Sequence, residues 1–145
     1  MCIFYLSYLK MDKKYRLILN RVVDGDTIDA DIVLGFGVVL QNKRIRLAGV
    51  DTPEVRTSDD VEKQFGLRAK AFVVNWCASD RELILVIKGD EYDKFGRVLG
   101  DVHDEKGNSL VEDVINNYHG VPYEGKSKDN IKKAHLENRV KVNTI

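Results

Sequence analysis

The feature that most constrains this chain is a change in the period of its apolar residues, which happens once and is then reversed. Tyr15 to Val23 and Thr27 to Leu34 are dense in Leu, Ile and Val, and the pair Asp24-Gly25 lies between them. Strand-forming runs around an Asp-Gly pair predict an antiparallel hairpin. Gly35-Phe36-Gly37 marks a second turn, after which Val38 to Val50 reads as a third strand interrupted by the polar Gln41-Asn42-Lys43. In Arg44-Ile45-Arg46-Leu47 the alternation puts both arginines on one face and Ile45 and Leu47 on the other. Then Val61, Phe65, Ala69, Phe72, Val73 and Trp76 recur at spacings of three and four, which predicts an amphipathic helix from Val61 to Cys77. Core packing accounts for each of those residues. Glu82 to Lys88 and Arg97 to Val102 return to strand character around a polar Gly89 to Lys94 loop. Leu110 to Ile115 and Ile131 to Leu136 read as short helices, the second with Ser127 and Asp129 as N-cap candidates.

Five strands with a helix between the third and fourth is the element order of an OB-fold barrel, here followed by two C-terminal helices. The expected class is therefore α+β, mainly a five-stranded β barrel whose open surface commonly receives oligonucleotides. At 145 residues and 43% hydrophobic content the chain can bury a core of one domain. That domain is placed at residues 15–139, between an N-terminal extension, 1–14, and a tail, 140–145. The chain's 23 basic and 23 acidic residues cancel, so attraction to a polyanion must come from local placement of Lys and Arg. That balance speaks against a high-affinity nucleic-acid binder more than against an enzyme, which must release its product.

Cys2 and Cys77 form no metal or redox spacing, and free thiols are the default, with a Cys2 to Cys77 disulfide left open. The apolar opening Cys2-Ile3-Phe4-Tyr5-Leu6-Ser7-Tyr8-Leu9 has no basic region before it and no small-residue cleavage site, and is too short to span a membrane. It reads as an extension, and translation from Met11 would remove it. A cytoplasmic monomer is the expectation.

Two fragments, Val23-Asp24-Gly25-Asp26-Thr27 and Arg46-Leu47-Ala48-Gly49-Val50-Asp51-Thr52-Pro53-Glu54, bring carboxylates and an arginine to strand ends. A third, Asp93-Lys94-Phe95-Gly96-Arg97, adds a second arginine. Carboxylates beside arginines suit a hard cation next to a phosphate. Each fragment also has a plain structural explanation. Asp24-Gly25 is a common turn dipeptide, and Asp51-Thr52-Pro53 fits a helix cap with Pro in the first turn. The run Asp24, Asp26, Asp29, Asp31 does not make an EF-hand, because Asp29 stands where that loop needs Gly and Gly35 where it needs Glu. Arg46 is harder to explain away: a guanidinium buried in a barrel needs anionic partners. His103, His119 and His135 are scattered and suggest no zinc site.

Together the three fragments resemble the staphylococcal nuclease (thermonuclease) family, a likeness extending over Tyr15 to Leu136 and including Val61-Glu62-Lys63 through Ala71-Phe72. The resemblance implies calcium (Ca2+) held by the carboxylates of Asp26 and Asp51 and the main-chain carbonyl of Thr52. It implies Glu54 as the general base or water-orienting group, and Arg46 and Arg97 as the phosphate-binding arginines. The activity it implies is hydrolysis of the P to O5′ bond of DNA and RNA, leaving 3′-phosphates. In the Asp-Lys-Tyr-Gly-Arg segment of many relatives this chain has Phe95, so a hydroxyl that contacts substrate is missing, while Lys94 remains to contact it. Tyr118 and Tyr123 fall where the family stacks nucleotides, and the family's terminal Gly-Leu-Trp-like signature is absent after Arg139. The alternatives are an OB-fold module that binds nucleic acid without turnover, and a protein-interaction domain on the same barrel.

Overall fold

A computed structural model describes residues 12–78, 80–125, 129 and 131–143. Residues 1–11 of the extension, with Cys2 and the alternative start at Met11, and the N-cap candidate Ser127 lie outside these residues, while Lys13 and Lys14, also assigned to the extension, begin the first strand. Strands β1 (Lys13–Asp24), β2 (Thr27–Gly35) and β3 (Val38–Leu47) are followed by a short β4 (Val50–Asp51) and helix α1 (Asp60–Ala78). Then come β5 (Leu83–Ile87), β6 (Val98–His103), α2 (Leu110–Asn116), a short β7 (Val121–Pro122) and α3 (Lys132–Asn143). The five long strands close into a barrel in the order β1-β2-β3-β6-β5, with β6 parallel to β3 and the other neighbours antiparallel. This is the expected five-stranded OB-fold barrel, with α1 between its third and fourth strands.

Alternation sets the interior. Leu17 and Val22 of β1, Ile28, Ala30 and Ile32 of β2, Ile45 and Leu47 of β3, Leu85 of β5 and Val102 of β6 meet in one cluster. Helix α1 adds Val73, Trp76 and Cys77 to it, and α2 adds Leu110, Val111 and Val114. The Trp76 indole also donates to Asp113 at 2.7 Å, tying α1 to α2. Val61, expected on the apolar stripe of α1, is exposed instead, because the helix starts beside it at Asp60. Asp59 caps that start, accepting from the amides of Val61 at 3.0 Å and Glu62 at 3.2 Å.

Three boundaries differ from the sequence reading in ways that bear on the site. The polar Gln41-Asn42-Lys43 does not interrupt β3. An extra residue is absorbed as a bulge opposite Asp31, whose carboxylate accepts from the Asn42 amide at 2.8 Å while Asn42 takes a φ of 50°. The third strand ends at Leu47 rather than Val50, where Gly49, at φ 86°, turns the chain. Val50 and Asp51 then pair with Val121 and Pro122 in a separate two-stranded sheet, which carries Asp51 away from the barrel wall toward the C-terminal segment. Finally, α3 does not stop at Leu136 but runs to Asn143, through residues 140–143 that the sequence reading assigned to a tail.

The turn between β1 and β2 is tight for a reason other than backbone sign. A Cβ on Gly25 would lie 2.8 Å from the Ala69 Cβ and 3.0 Å from Thr52, so glycine lets α1 and the Thr52 segment close against the turn. Gly66 has the same role on the helix side: a Cβ there would sit 2.6 Å from the Glu54 carbonyl oxygen. The two glycines thus hold the β1–β2 turn, the segment from Thr52 to Glu54 and α1 in mutual contact. Among the described residues no helix is long and apolar enough to cross a membrane.

Candidate active site

The strand ends place the charged residues. Asp26 follows the turn, Arg46 lies on β3 opposite Thr27, and Asp51 lies on β4 after the Gly49 turn. All three are buried, Arg46 being only 9% exposed. The Arg46 Nη2 lies 3.4 Å from the Asp26 Oδ2 and 3.4 Å from the Asp51 Oδ1. Its Nη1 donates to the main-chain carbonyls of Leu47 at 2.9 Å and Val50 at 2.8 Å. One guanidinium therefore joins two carboxylates and fixes the turn between β3 and β4. The anionic partners that burial of Arg46 demanded are present.

The carboxylates are held from other sides as well. The Asp26 Oδ2 accepts from the Thr52 amide at 3.0 Å and its Oδ1 from the Thr27 hydroxyl at 2.9 Å. The Asp51 Oδ2 meets the Nε2 of His135, on α3, at 2.9 Å. The carboxylate oxygens of Asp26 and Asp51 thus converge on one guanidinium, with Thr52 next in the chain. Among the described residues no group of three or more His, Cys, Asp or Glu side chains forms a metal site. Carboxylate oxygens are the ligand type that a hard cation takes, its shell being completed by water or ligand. The Thr52 hydroxyl is buried without a hydrogen-bond partner, packed toward Gly25.

Asp26, Arg46, Asp51, Glu54, Lys94, Arg97 and Tyr123 all line one open cleft of about 1070 Å³. Glu54 reaches it from the segment that Gly66 seats against α1, and Glu62 accepts from the Glu54 amide at 3.4 Å. The cap alternative for Asp51 and Thr52 is thereby removed, since α1 begins only at Asp60 and takes Asp59 as its cap. Arg97 reaches the same cleft from the β5–β6 loop. Asp93 organises that loop: its Oδ1 accepts from the amides of Phe95 and Arg97, both at 2.9 Å, and its Oδ2 from the Arg97 Nε at 2.6 Å. Burial opposes the Asp93 charge, but these bonds from Arg97 and Phe95 outweigh it and hold the carboxyl below its ordinary range.

Tyr118 is not brought to the cleft. It sits at φ 63° beyond the end of α2, with the Lys141 ammonium 4.9 Å from its ring, against a small separate hollow shared with Pro53, Phe65 and Arg139. Tyr123, by contrast, stands on the cleft wall, its amide donating to the Gly49 carbonyl at 3.0 Å.

Two neighbours of the cluster escaped the sequence reading. His135 was set aside as a scattered histidine, and no local pattern could have linked it to Asp51, because the contact spans 84 positions. Asp24 was read only as a turn residue, yet it lines the cleft beside Asp26. Burial and then the Asp26 charge push its carboxyl above the ordinary range, against the pull of the Val55 amide, Lys70 and Arg56. Its place in the same Asp-Gly-Asp fragment was the available signal.

Comparison with known proteins finds relatives named as nucleases. The chain is 35% identical over 82 residues to a thermonuclease of Staphylococcus intermedius, a match covering 57% of this chain and 45% of that protein. It is 28% identical over 115 residues to the endonuclease YhcR of Bacillus subtilis (strain 168), covering 76% of this chain and 9% of that protein. The chain thus spans less than half the length of either relative. The family model described as staphylococcal nuclease homologue matches residues 44–143, well over half of the chain and including Arg46, Asp51, Glu54 and Arg97, so the chain belongs to the staphylococcal nuclease family.

Proposed function

We propose that this chain is a calcium-dependent nuclease that hydrolyses phosphodiester bonds of DNA and RNA between phosphorus and O5′, leaving 3′-phosphates. The observation that carries the reading is the joining of Asp26 and Asp51 by Arg46 in a cleft that Glu54 and Arg97 also line. Attack of water on a phosphodiester builds negative charge on the phosphoryl oxygens, so a site must stabilise that charge and aim the nucleophile. Asp26, Asp51 and the Thr52 carbonyl would hold the calcium ion, which supplies positive charge to polarise a phosphoryl oxygen. Glu54, which lines the same cleft as the carboxylate pair, orients the attacking water and takes its proton. Arg97, gripped by Asp93 through Nε, offers its outer nitrogens to the phosphoryl oxygens and stabilises the departing 5′ oxygen. Arg46 donates to the same oxygens from the carboxylate side, its planar fork giving directions that a lysine would not.

Incubation of purified protein with plasmid and single-stranded DNA or RNA, in calcium or in chelator, tests the reading. Calcium-stimulated cleavage with 3′-phosphate ends is expected. Undiminished cleavage in chelator refutes the metal role, and retention of nucleic acid without cleavage in calcium would make the domain a binding module.

A further inference from the structure

We propose that His135, on α3, is a positioning residue for the cation site: it fixes the Asp51 carboxylate from the side away from the cleft, so that docking of α3 sets the affinity for the metal. The inference rests on the calcium reading of Asp26 and Asp51 and deepens it. The His135 Nε2 lies 2.9 Å from the Asp51 Oδ2, while the Arg46 Nη2 lies 3.4 Å from the Oδ1. A carboxylate accepts, so Nε2 is the nitrogen that carries the proton of this bond. With a donor at each oxygen, the plane of the carboxylate is held from both ends. A carboxylate oxygen can accept more than once, so the imidazole bond and a bound metal do not exclude each other.

His135 stands behind the chemistry, not in it. Asp51 lines the cleft, whereas His135 lines the separate small hollow with Pro53, Phe65 and Asn138. That is the place from which a group orients a metal ligand without touching substrate. Both side chains are well covered, His135 16% and Asp51 6% exposed, so water competes little for the bond.

The short strand that carries Asp51 makes the contact consequential. The ladder of β4 with β7 consists of Val50 opposite Pro122 and Asp51 opposite Val121, too little to be stable by itself. Helix α3 secures both sides of it. His135 takes β4 at Asp51, and Asn138, one turn further along the same face, donates to the carbonyl of Gly120, just before β7, at 3.2 Å. Glycine at that point lets the segments close, since a Cβ there would lie 2.6 Å from the Val50 Cγ2 and 3.1 Å from the Asp51 carbonyl oxygen. No residue of α3 is buried, so polar contacts and not a core seat the helix. A helix seated on a metal ligand is coupled to the metal. By the factor that docking raises cation affinity, the cation raises docking.

The test titrates calcium alone into the full chain, reads affinity from backbone amide NMR shifts, and follows hydrogen exchange of the α3 amides in calcium and in chelator. His135→Ala should weaken calcium binding by roughly tenfold to a hundredfold, the common cost of removing a partner of a metal ligand. His135→Gln, which offers an N–H donor at a similar reach, should restore most of that affinity. In the wild-type chain calcium should slow exchange along α3, and in His135→Ala that added protection should vanish. A merely structural histidine would lower the melting temperature in chelator and leave calcium affinity as it was. Unchanged affinity in His135→Ala therefore overturns the proposal, as does a Gln variant no better than Ala. Exchange of α3 that ignores calcium in the wild-type chain overturns the coupling without any variant. These results would leave the nuclease reading standing, whereas a wild-type chain with no calcium-dependent shifts rejects the calcium site itself, and the inference with it.

Discussion

Arg46 and Arg97 bear the same charge in opposite settings, and that difference makes their roles separable. Arg97 is partly exposed and pairs with Asp93, whereas Arg46 is buried and ties two carboxylates to two main-chain carbonyls. Replacing either by Lys keeps the charge and removes the fork. Arg97→Lys should lower kcat by roughly 10² with little change in melting temperature or KM. Arg46→Lys should lower kcat similarly and also the melting temperature, since several buried acceptors lose their donors. Steady-state kinetics and thermal unfolding on both variants check this, and near-normal kcat in a stable Arg97→Lys would remove it from the chemistry. Asp29 offers a control away from the cluster. Hydrogen bonds from the Arg44 guanidinium at 2.9 and 3.1 Å, aided by the charges of Arg44 and Arg21, lower its carboxyl below the ordinary range despite burial. Its charged form therefore stabilises the fold above the unfolded carboxyl value, near pH 4, and that stability is lost as pH falls through the lower folded value. Asp29→Asn should lower stability by about 1 kcal/mol or less at neutral pH, given how exposed Arg44 is. Urea unfolding across pH should show the gap between variant and wild type closing on the acid side of pH 4.

At the scale of elements, the site depends on how closely α1 approaches the segment after β4. Gly66 is the measure of that approach, with the Glu54 carbonyl oxygen 2.6 Å from where a Cβ would stand. Gly66→Ala should push the two apart, lowering stability by about 1 to 3 kcal/mol and kcat together, because the main chain bearing Glu54 moves. An alanine variant with unchanged melting temperature and kcat would show that the segment yields freely. Helix α3 attaches differently. No residue of it is buried, and it is held by polar contacts: His135 to Asp51, the Asn138 amide to the Gly120 carbonyl at 3.2 Å, and Asn143 to Arg68 at 2.6 Å.

For the whole molecule, charge balance sets how substrate is attracted. With 23 basic and 23 acidic residues there is no net field, and among the described residues the cations lining the cleft are local: Arg44, Arg46, Lys94 and Arg97. DNA binding in chelator should therefore weaken only gently with salt, with a slope corresponding to about two to four phosphate contacts. A titration implying eight or more would mean that a basic surface outside the cleft takes part.

The sequence by itself determined the order of strands and helices and the barrel they close into, because inward and outward residues alternate along each strand and α1 carries its own apolar stripe. It also marked Asp26, Arg46, Asp51, Glu54 and Arg97, since each stands in a fragment whose residue types are distinctive locally. Where β3 ends was not legible, because Gly49 turns the chain within a run that remains apolar on both sides. That turn decides where Asp51 lies. Nor could local pattern distinguish Tyr123, on the cleft wall, from Tyr118, which faces away, because a residue in the left-handed region and the pairing of β4 with β7 set their directions. The contact of His135 with Asp51 and the seating of Glu54 by Gly66 are likewise products of packing. They join residues far apart in the chain, and only the closure of the barrel with its helices determines that they meet.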